Sequence, residues 1–549
     1  MALRQVEEVT QGPKLSHRLK SAAMRYAPVR NSYEVTRGLP ITLRDGVAIR
    51  ADLYTPTGGG PFPSILIRTP YGRKASAASA IFFAARGYNV LVTASRGTDG
   101  SEGTFEAMIC EADDGYDIVE WMRNQHWFAG RFATYGLSYI AYTQFALAEY
   151  EIPEWVAMIV AIGPHDFSGV ARGRGVFDLR NFYEWSNVQS RRHDPHGPLY
   201  GMVKSASESK TALMTRALTD APTAKMRELS PWYDDWVRNS DPADDYWKPY
   251  NHSAALERIS RPVLLEGAWN DLFLRQTLTQ WRQLQENGVD LEVHMSRGGH
   301  TSQRELIFNS AHLNRALNWL DDVFGDRRHE GHRQHQVAVG GIRSTVITLE
   351  SWPPPSTPMQ LFGAAGAELQ NSKEDARDSW TTFIYDASDP TPAVGGNIMA
   401  LRGSGNVDNT DLESRPDVVV YTSAPLTEDV LVSGHPHVSL NVDASKEFDI
   451  FARLCDVSGN KSINVCDEIT RFSRGGQHRV GIDLDGTTHL FKRGHRIRLL
   501  IAGGAFPRFD INPALRPIDQ GPHGVNSSVT IRIRDRDVEL TLPTRGDLA

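Results

Sequence analysis

The sequence predicts an α/β fold: a largely parallel sheet covered on both faces by helices, interrupted by a helical insertion and followed by an all-β domain. Three observations predict it. Short apolar strands alternate with helices up to residue 165 and again from 253 to 327. Between 166 and 252 the strand pattern stops, and aromatic and charged residues crowd together. From 328 to 549 short strands follow one another between Gly, Pro and Asp, with almost no helical periodicity. At ~150 residues per domain, a chain of 549 residues holds about three such units.

Residues 1–32 read as an N-terminal extension, with Lys14, Arg18, Lys20 and Arg25 on a solvated helix. The core, residues 33–165 and 253–327, then starts with strands Val47–Tyr54 and Ser64–Ile67, helix Ala77–Ala85 and the buried strand Tyr88–Thr93. Glu111–Arg123 is a helix with Ile118, Val119 and Met122 on its apolar face. Strand Phe132–Tyr135 leads directly into a helix from Tyr139 to about Ala148, and Ala157–Ile162 is another buried strand. The insertion at 166–252 carries Phe167, Phe177, Phe182, Tyr183, Trp185, Trp232 and Trp236 with a helix at Lys204–Leu218, and reads as a cap. The core resumes with strand Val263–Leu265, helix Gln276–Asn287, strand Leu291–Met295 and helix Arg304–Phe324. The strands expected beyond it are Gln336–Val339, Val418–Tyr421, Val430–Val432, Val438–Val442, Phe448–Leu454, His478–Ile482, Arg496–Ile501 and Val529–Ile533, the spacing of a β-sandwich or jelly roll.

Composition removes several function classes. A net charge of −7 offers no basic field for nucleic acid. Three cysteines, with no C-x-x-C, make neither a disulfide framework nor a thiolate metal site, and no H-E-x-x-H is present. The glycine-rich stretch Ser95–Gly103 lacks the phosphate-loop lysine and opens no helix, so no cofactor or metal is expected. No apolar run approaches the ~18 residues of a membrane span. The first residues lack the apolar core of a secretory signal, so a cytoplasmic location is the default expectation.

The chemistry centres on Gly136-Leu137-Ser138-Tyr139-Ile140-Ala141, between a strand and a helix. A serine on such a sharp turn presents its Oγ above the sheet edge. Gly136 leaves room for the turn, and the Tyr139 N–H opens the helix, where free donors and the positive dipole end face a developing oxyanion. Serine needs a base and an orienting carboxylate, which in this topology follow in the order acid, then histidine. Asp271 lies past strand 263–265 and His300 past strand 291–295, at the carboxyl ends where α/β sites form. His165 competes as the base and Glu266 as the acid; His294, inside its strand, is discounted. A second oxyanion donor belongs in the loop after an early strand, where Tyr71 offers a phenol; the alternative for Tyr71 is a packing aromatic. Trp185, Phe182 and Phe273 are the candidate substrate-facing aromatics.

Taken together, R-T-P-Y, S-R-G-x-x-x-S-E-G, G-L-S-Y-I-A-Y-T-Q, D-P-A-D-D-Y-W, G-A-W-N-D-L-F and G-G-H, in that order, resemble the cocaine-esterase-like (CocE/NonD) hydrolases, relatives of the X-prolyl dipeptidyl peptidases and α-amino acid ester hydrolases. Tyr421–Leu426 and Arg453–Val457 resemble that family's C-terminal domain, so the likeness spans about residues 33–535. It implies an α/β-hydrolase core, a helical cap and a C-terminal jelly roll. It places the nucleophile on Ser138, the acid on Asp271, the base on His300, and the oxyanion donors on the Tyr71 hydroxyl and the Tyr139 N–H. Two departures stand out: Ala141 replaces a glycine, and Ser296–His300 lacks the aromatic of the family's G-P-W-x-H. The expected activity is hydrolysis of a small carboxylic ester or amide through an acyl-enzyme. The alternatives are an X-prolyl exopeptidase and a non-catalytic ligand- or carbohydrate-binding protein. The expected partner is a small-molecule substrate, with neither nucleic acid nor membrane, and the resemblance is compatible with a monomer or a homodimer.

Overall fold

A computed structural model describes residues 7–11, 23–58, 60–173, 175–191, 221–300, 310–325, 334–373, 378–400, 403–515 and 527–546. Eleven strands build the first sheet: β1 (Glu7–Gln11), β2 (Tyr33–Thr42), β3 (Ala48–Pro56), β4 (Ser64–Thr69), β5 (Asn89–Ala94), β6 (Phe132–Leu137), β7 (Trp155–Ala161), β8 (Val263–Asn270), β9 (Leu291–Gly299), β10 (His335–Ala338) and β11 (Val346–Leu349). Their order is β1-β2-β3-β5-β4-β6-β7-β8-β9-β10-β11. From β5 to β10 every pairing is parallel, and the outer pairs at both ends are antiparallel.

β4, β5, β6 and β8 are buried at every position, as strands covered on both faces must be. Alternate residues serve opposite layers. Ile65, Ile67, Val90 and Val92 pack with Phe82 and Phe83 of α1 (Arg73–Ala84). Leu66 and Leu91 point the other way, into a core shared with Ile118, Val119 and Met122 of α2 (Glu111–Arg123) and Phe145 and Leu147 of α3 (Tyr139–Leu147).

The insertion contains α4 (Phe167–Ala171), α5 (Leu179–Gln189), α6 (Ala224–Leu229), α7 (Trp232–Arg238) and a 3₁₀ turn at Asp245–Tyr250. The expected helix Lys204–Leu218 lies outside the described residues. The core resumes through α8 (Ser253–Arg258), α9 (Leu274–Glu286) and α10 (Ser310–Phe324). Trp281 of α9 joins the layer of α2, and Leu317 and Trp319 of α10 join that of α1.

Four expectations are corrected. Residues 7–11 form a strand on the edge of β2, not a helix; Lys14, Arg18 and Lys20 lie outside the described residues. β2 was not anticipated. β8 and β9 run on to Asn270 and Gly299, so the stretch before His300, read as a loop, is largely strand, with Asn270 opposite Gly299. Finally, β10 and β11 extend the first sheet to Leu349, past residue 327, where the core was expected to end.

From Thr357 to Arg545 the described chain is mostly strands, joined in a second sheet path. It grips the first unit beside the ends of β8 and α9. Arg275 of α9 pairs with Asp485 at 2.6 Å and with Glu468, and the Asn270 amide donates to Asn406 at 3.0 Å.

Candidate active site

Ser138 sits between β6 and α3 with φ 58° and ψ −126°. That is a strained backbone for a side-chain-bearing residue, and such strain concentrates where function over-determines it. Two sets of backbone bonds fix it. The Ser138 N–H donates to Ala161 O at 3.0 Å, and its carbonyl accepts from the Ala141 and Tyr142 N–H groups at 2.9 and 3.1 Å. A Cβ on Gly136 would lie 2.4 Å from Ile140 Cγ2, so the glycine makes room for the Ile140 side chain. Ala141 is accommodated from across the turn. A Cβ on Gly163 would meet the Ala141 Cβ at 2.3 Å and the Ser138 O at 2.8 Å, so the space for the Ala141 methyl is yielded by the loop after β7.

The predicted acid and base converge on this serine. Ser138 Oγ lies 3.0 Å from His300 Nε2, and His300 Nδ1 lies 2.7 Å from Asp271 Oδ2. Asp271 is fully buried at the end of β8, and its Oδ1 accepts the Phe273 N–H at 2.7 Å, which fixes the carboxylate. The Phe273 ring stands edge-on to His300 at 5.4 Å, placing an aromatic beside the imidazole.

The rivals are engaged elsewhere. His165 is buried, with Nδ1 3.2 Å from Gln280 Nε2, and burial pushes its pKa down to about 3. Glu266 is buried too; burial would lift its pKa, but the paired His312 and Arg315 hold it at about 2. His294 pairs with Glu292 at 2.7 Å.

Tyr71, Tyr139 and Trp185 form one aromatic group. The Tyr71 and Tyr139 rings meet at 6.3 Å, and Trp185 stacks on Tyr139 at 6.1 Å with an interplanar angle of 10°. The Trp185 Nε1–H donates to the Tyr71 hydroxyl at 3.2 Å. Phe182 packs within the insertion against Phe167, Phe177 and Trp236, and Trp236 in turn stacks on Trp185. Helix geometry leaves the N–H groups of Tyr139 and Ile140, the first two residues of α3, without intrahelical acceptors.

Sequence reasoning missed what lies under this group. The Tyr139 hydroxyl donates to Glu111 Oε1 at 2.9 Å and accepts the Met108 N–H at 2.8 Å. Glu111 in turn accepts from Ser95 Oγ at 3.0 Å and from Arg68 Nη2 at 2.6 Å. Burial, with the neighbouring Glu111 charge adding to it, raises the Tyr139 pKa far above the ordinary phenol value, so the phenol keeps its proton and donates. The available signal was an acidic first turn, Glu111-Ala112-Asp113-Asp114, on a helix whose first residue must face inward.

The sequence matches two family profiles. The X-Pro dipeptidyl-peptidase (S15 family) profile covers residues 45–302, and the X-Pro dipeptidyl-peptidase C-terminal non-catalytic domain covers residues 331–525. The cocaine esterase of Rhodococcus sp. (strain MB1 Bresler) is 25% identical over 536 residues, covering 88% of this chain and 93% of that protein. The chain is a CocE/NonD-like hydrolase. Solved structures share the fold of this CocE/NonD-like chain. An α-amino acid ester hydrolase superposes with a TM-score of 0.77 at 19% identity, covering 94% of this chain and 97% of that one. A CocE/NonD family hydrolase from Staphylococcus aureus gives 0.68 at 18% identity, covering 94% of each chain. The CocE/NonD-like chain is thus a serine hydrolase, with a non-catalytic C-terminal domain of mostly strands. Among its described residues no helix is long and apolar enough to cross a membrane.

Proposed function

We propose that this protein is a serine esterase acting on small carboxylic esters through an acyl-enzyme on Ser138. The observation that carries the proposal is the chain of contacts from Ser138 Oγ to His300 at 3.0 Å and from His300 to Asp271 at 2.7 Å. The likeness to a cocaine esterase supports the ester as substrate class. In this reading the insertion is a helical cap over the site and the C-terminal domain a jelly roll.

As Ser138 Oγ attacks the carbonyl carbon, His300 Nε2 takes its proton. Asp271 holds the Nδ1–H tautomer and stabilises the imidazolium. The Tyr71 hydroxyl and the Tyr139 N–H donate to the oxyanion. Collapse breaks the C–O bond to the alcohol, which leaves with the proton from His300. Water, deprotonated by His300, then attacks the acyl-enzyme, and the acid departs as Oγ recovers its proton. Trp185 and Phe273 flank these groups, so an aromatic or bulky apolar substituent suits the site.

Intact mass after fluorophosphonate treatment tests the nucleophile. One adduct on wild type, absent from Ser138→Ala, is expected; an unlabelled wild type that still hydrolyses esters would refute it. The S15 profile keeps an X-Pro exopeptidase as the second reading. Turnover of p-nitrophenyl esters well above that of X-Pro p-nitroanilides separates the two.

A further inference from the structure

We infer that Glu111 is a positioning residue for the oxyanion hole, tying both of its donors to one buried carboxylate. The inference rests on the assignment of Ser138 as nucleophile and deepens it. One arm runs through α3: Glu111 Oε1 accepts the Tyr139 hydroxyl at 2.9 Å, and Tyr139 is the residue whose backbone N–H opens the helix behind Ser138. The other arm runs through β4: Glu111 Oε2 accepts Arg68 Nη2 at 2.6 Å, and Arg68 lies three residues before Tyr71. Arg68 also reaches across to α3, where its Nη1 meets Thr143 O at 3.4 Å.

Each member is held on more than one side. Ser95, just past β5, donates to Glu111 Oε1 at 3.0 Å, and the Met108 N–H donates to the Tyr139 hydroxyl at 2.8 Å. The Tyr142 hydroxyl, one turn along α3, donates to Met108 O at 2.9 Å. Glu111 and Arg68 are only 5% and 4% exposed. A pair so enclosed is poorly screened, and loss of either partner leaves the other charge buried.

The chemical demand explains the arrangement. An oxyanion donor works only when aimed at the place where charge develops, within a few tenths of an ångström. A backbone N–H cannot choose a rotamer, and its direction is that of its peptide plane. Anchoring the Tyr139 side chain through its far end fixes that plane. Anchoring Arg68 fixes the end of β4, from which the Tyr71 phenol is launched. Glu111 touches no substrate, and its role passes through these two residues.

Tyr139→Phe is the decisive variant, because it keeps the ring and the backbone N–H while removing the tether to Glu111. With an activated ester and full-length protein, kcat is expected to fall about tenfold, short of the 10²–10³ that deletion of a whole donor costs. KM should stay within about twofold, since ground-state binding is untouched. Inhibition by a trifluoromethyl ketone, whose hemiketal oxyanion occupies the hole, should weaken by the same factor as kcat. Glu111→Gln should resemble Tyr139→Phe, and the double variant should add little; if Glu111→Gln does not fold, Tyr139→Phe decides alone. A Tyr139→Phe protein with wild-type kcat and ketone affinity, its Ser138 still labelled by fluorophosphonate, would overturn the inference and leave the nucleophile assignment standing. Equal changes in KM and kcat, tracking a fall in melting temperature, would also overturn it by marking a merely structural role. A wild type that resists the fluorophosphonate would remove both readings.

Discussion

The indole Nε1–H of Trp185 donates to the hydroxyl oxygen of Tyr71 at 3.2 Å, joining the helical insertion to a residue on the loop after β4. With that lone pair engaged, the single Tyr71 proton is directed to another acceptor. Trp185→Phe should retain the stack on Tyr139 while losing this bond. A net hydrogen bond of about 0.5–1.5 kcal/mol corresponds to roughly two- to tenfold in kcat. Steady-state kinetics on p-nitrophenyl esters would show it, and an unchanged kcat would mean that Tyr71 is oriented without Trp185.

Asp271→Asn should leave the fold intact and remove nearly all turnover. An amide facing His300 Nδ1 favours the wrong tautomer, and in serine proteases that exchange costs about 10⁴ in kcat. Retention of more than a tenth of wild-type kcat would remove Asp271 from the relay.

Gly163→Ala would place a methyl 2.3 Å from the Ala141 Cβ and 2.8 Å from Ser138 O. The turn must then shift, so both melting temperature and kcat should drop. Ala141→Gly in the same chain removes the main clash and should restore much of each loss. Failure of the second substitution to rescue the first would show that the contact with Ser138 O is the limiting one.

Asp467 lies between two buried guanidinium groups, Arg508 and Arg453, with contacts of 2.5 and 2.7 Å. Burial alone would raise its pKa, but the two positive charges outweigh it and hold the value at about 2, below the ordinary 3.8. The stabilisation is therefore complete above about pH 4 and is lost as pH falls toward 2. Asp467→Asn should destabilise by about 3–5 kcal/mol at neutral pH. The difference in melting temperature from wild type should narrow steadily between pH 4 and 2.5; a constant difference across that range would refute the assignment.

What was legible in the sequence follows from which forces act locally. β4, β5 and β7 were readable because each carries an unbroken apolar stretch, Ile65–Ile67, Val90–Val92 and Trp155–Ala161, the mark of a strand buried on both faces. β2 escaped because it is half-exposed and its pairing with β3 is bulged between Thr36 and Leu39, which breaks the alternation. Strand Lys461–Phe472 escaped because it buries Asp467 and Glu468, polar residues that look solvent-facing until their arginines arrive from elsewhere. In the site, Ser138 was marked by its strand–turn–helix setting, and Asp271 and His300 by lying near strand ends. His165 has the same positional signature as His300, and what separates them is partners far away in sequence: His300 meets Ser138 and Asp271, whereas His165 meets Gln280. Glu111 and Arg68, 43 residues apart, become partners only once β4 and α2 are neighbours, which no local pattern records.

The continuation of the first sheet through β10 and β11 bears on how this protein can be shortened. A fragment ending at residue 327 would leave β9 as the outermost strand, with the carbonyls and amides that β10 now occupies turned toward solvent. A bare parallel edge of that kind is a template for strands of other molecules. Such a fragment should therefore precipitate before its catalytic competence can be judged, and insolubility would not show that the C-terminal half takes part in the chemistry.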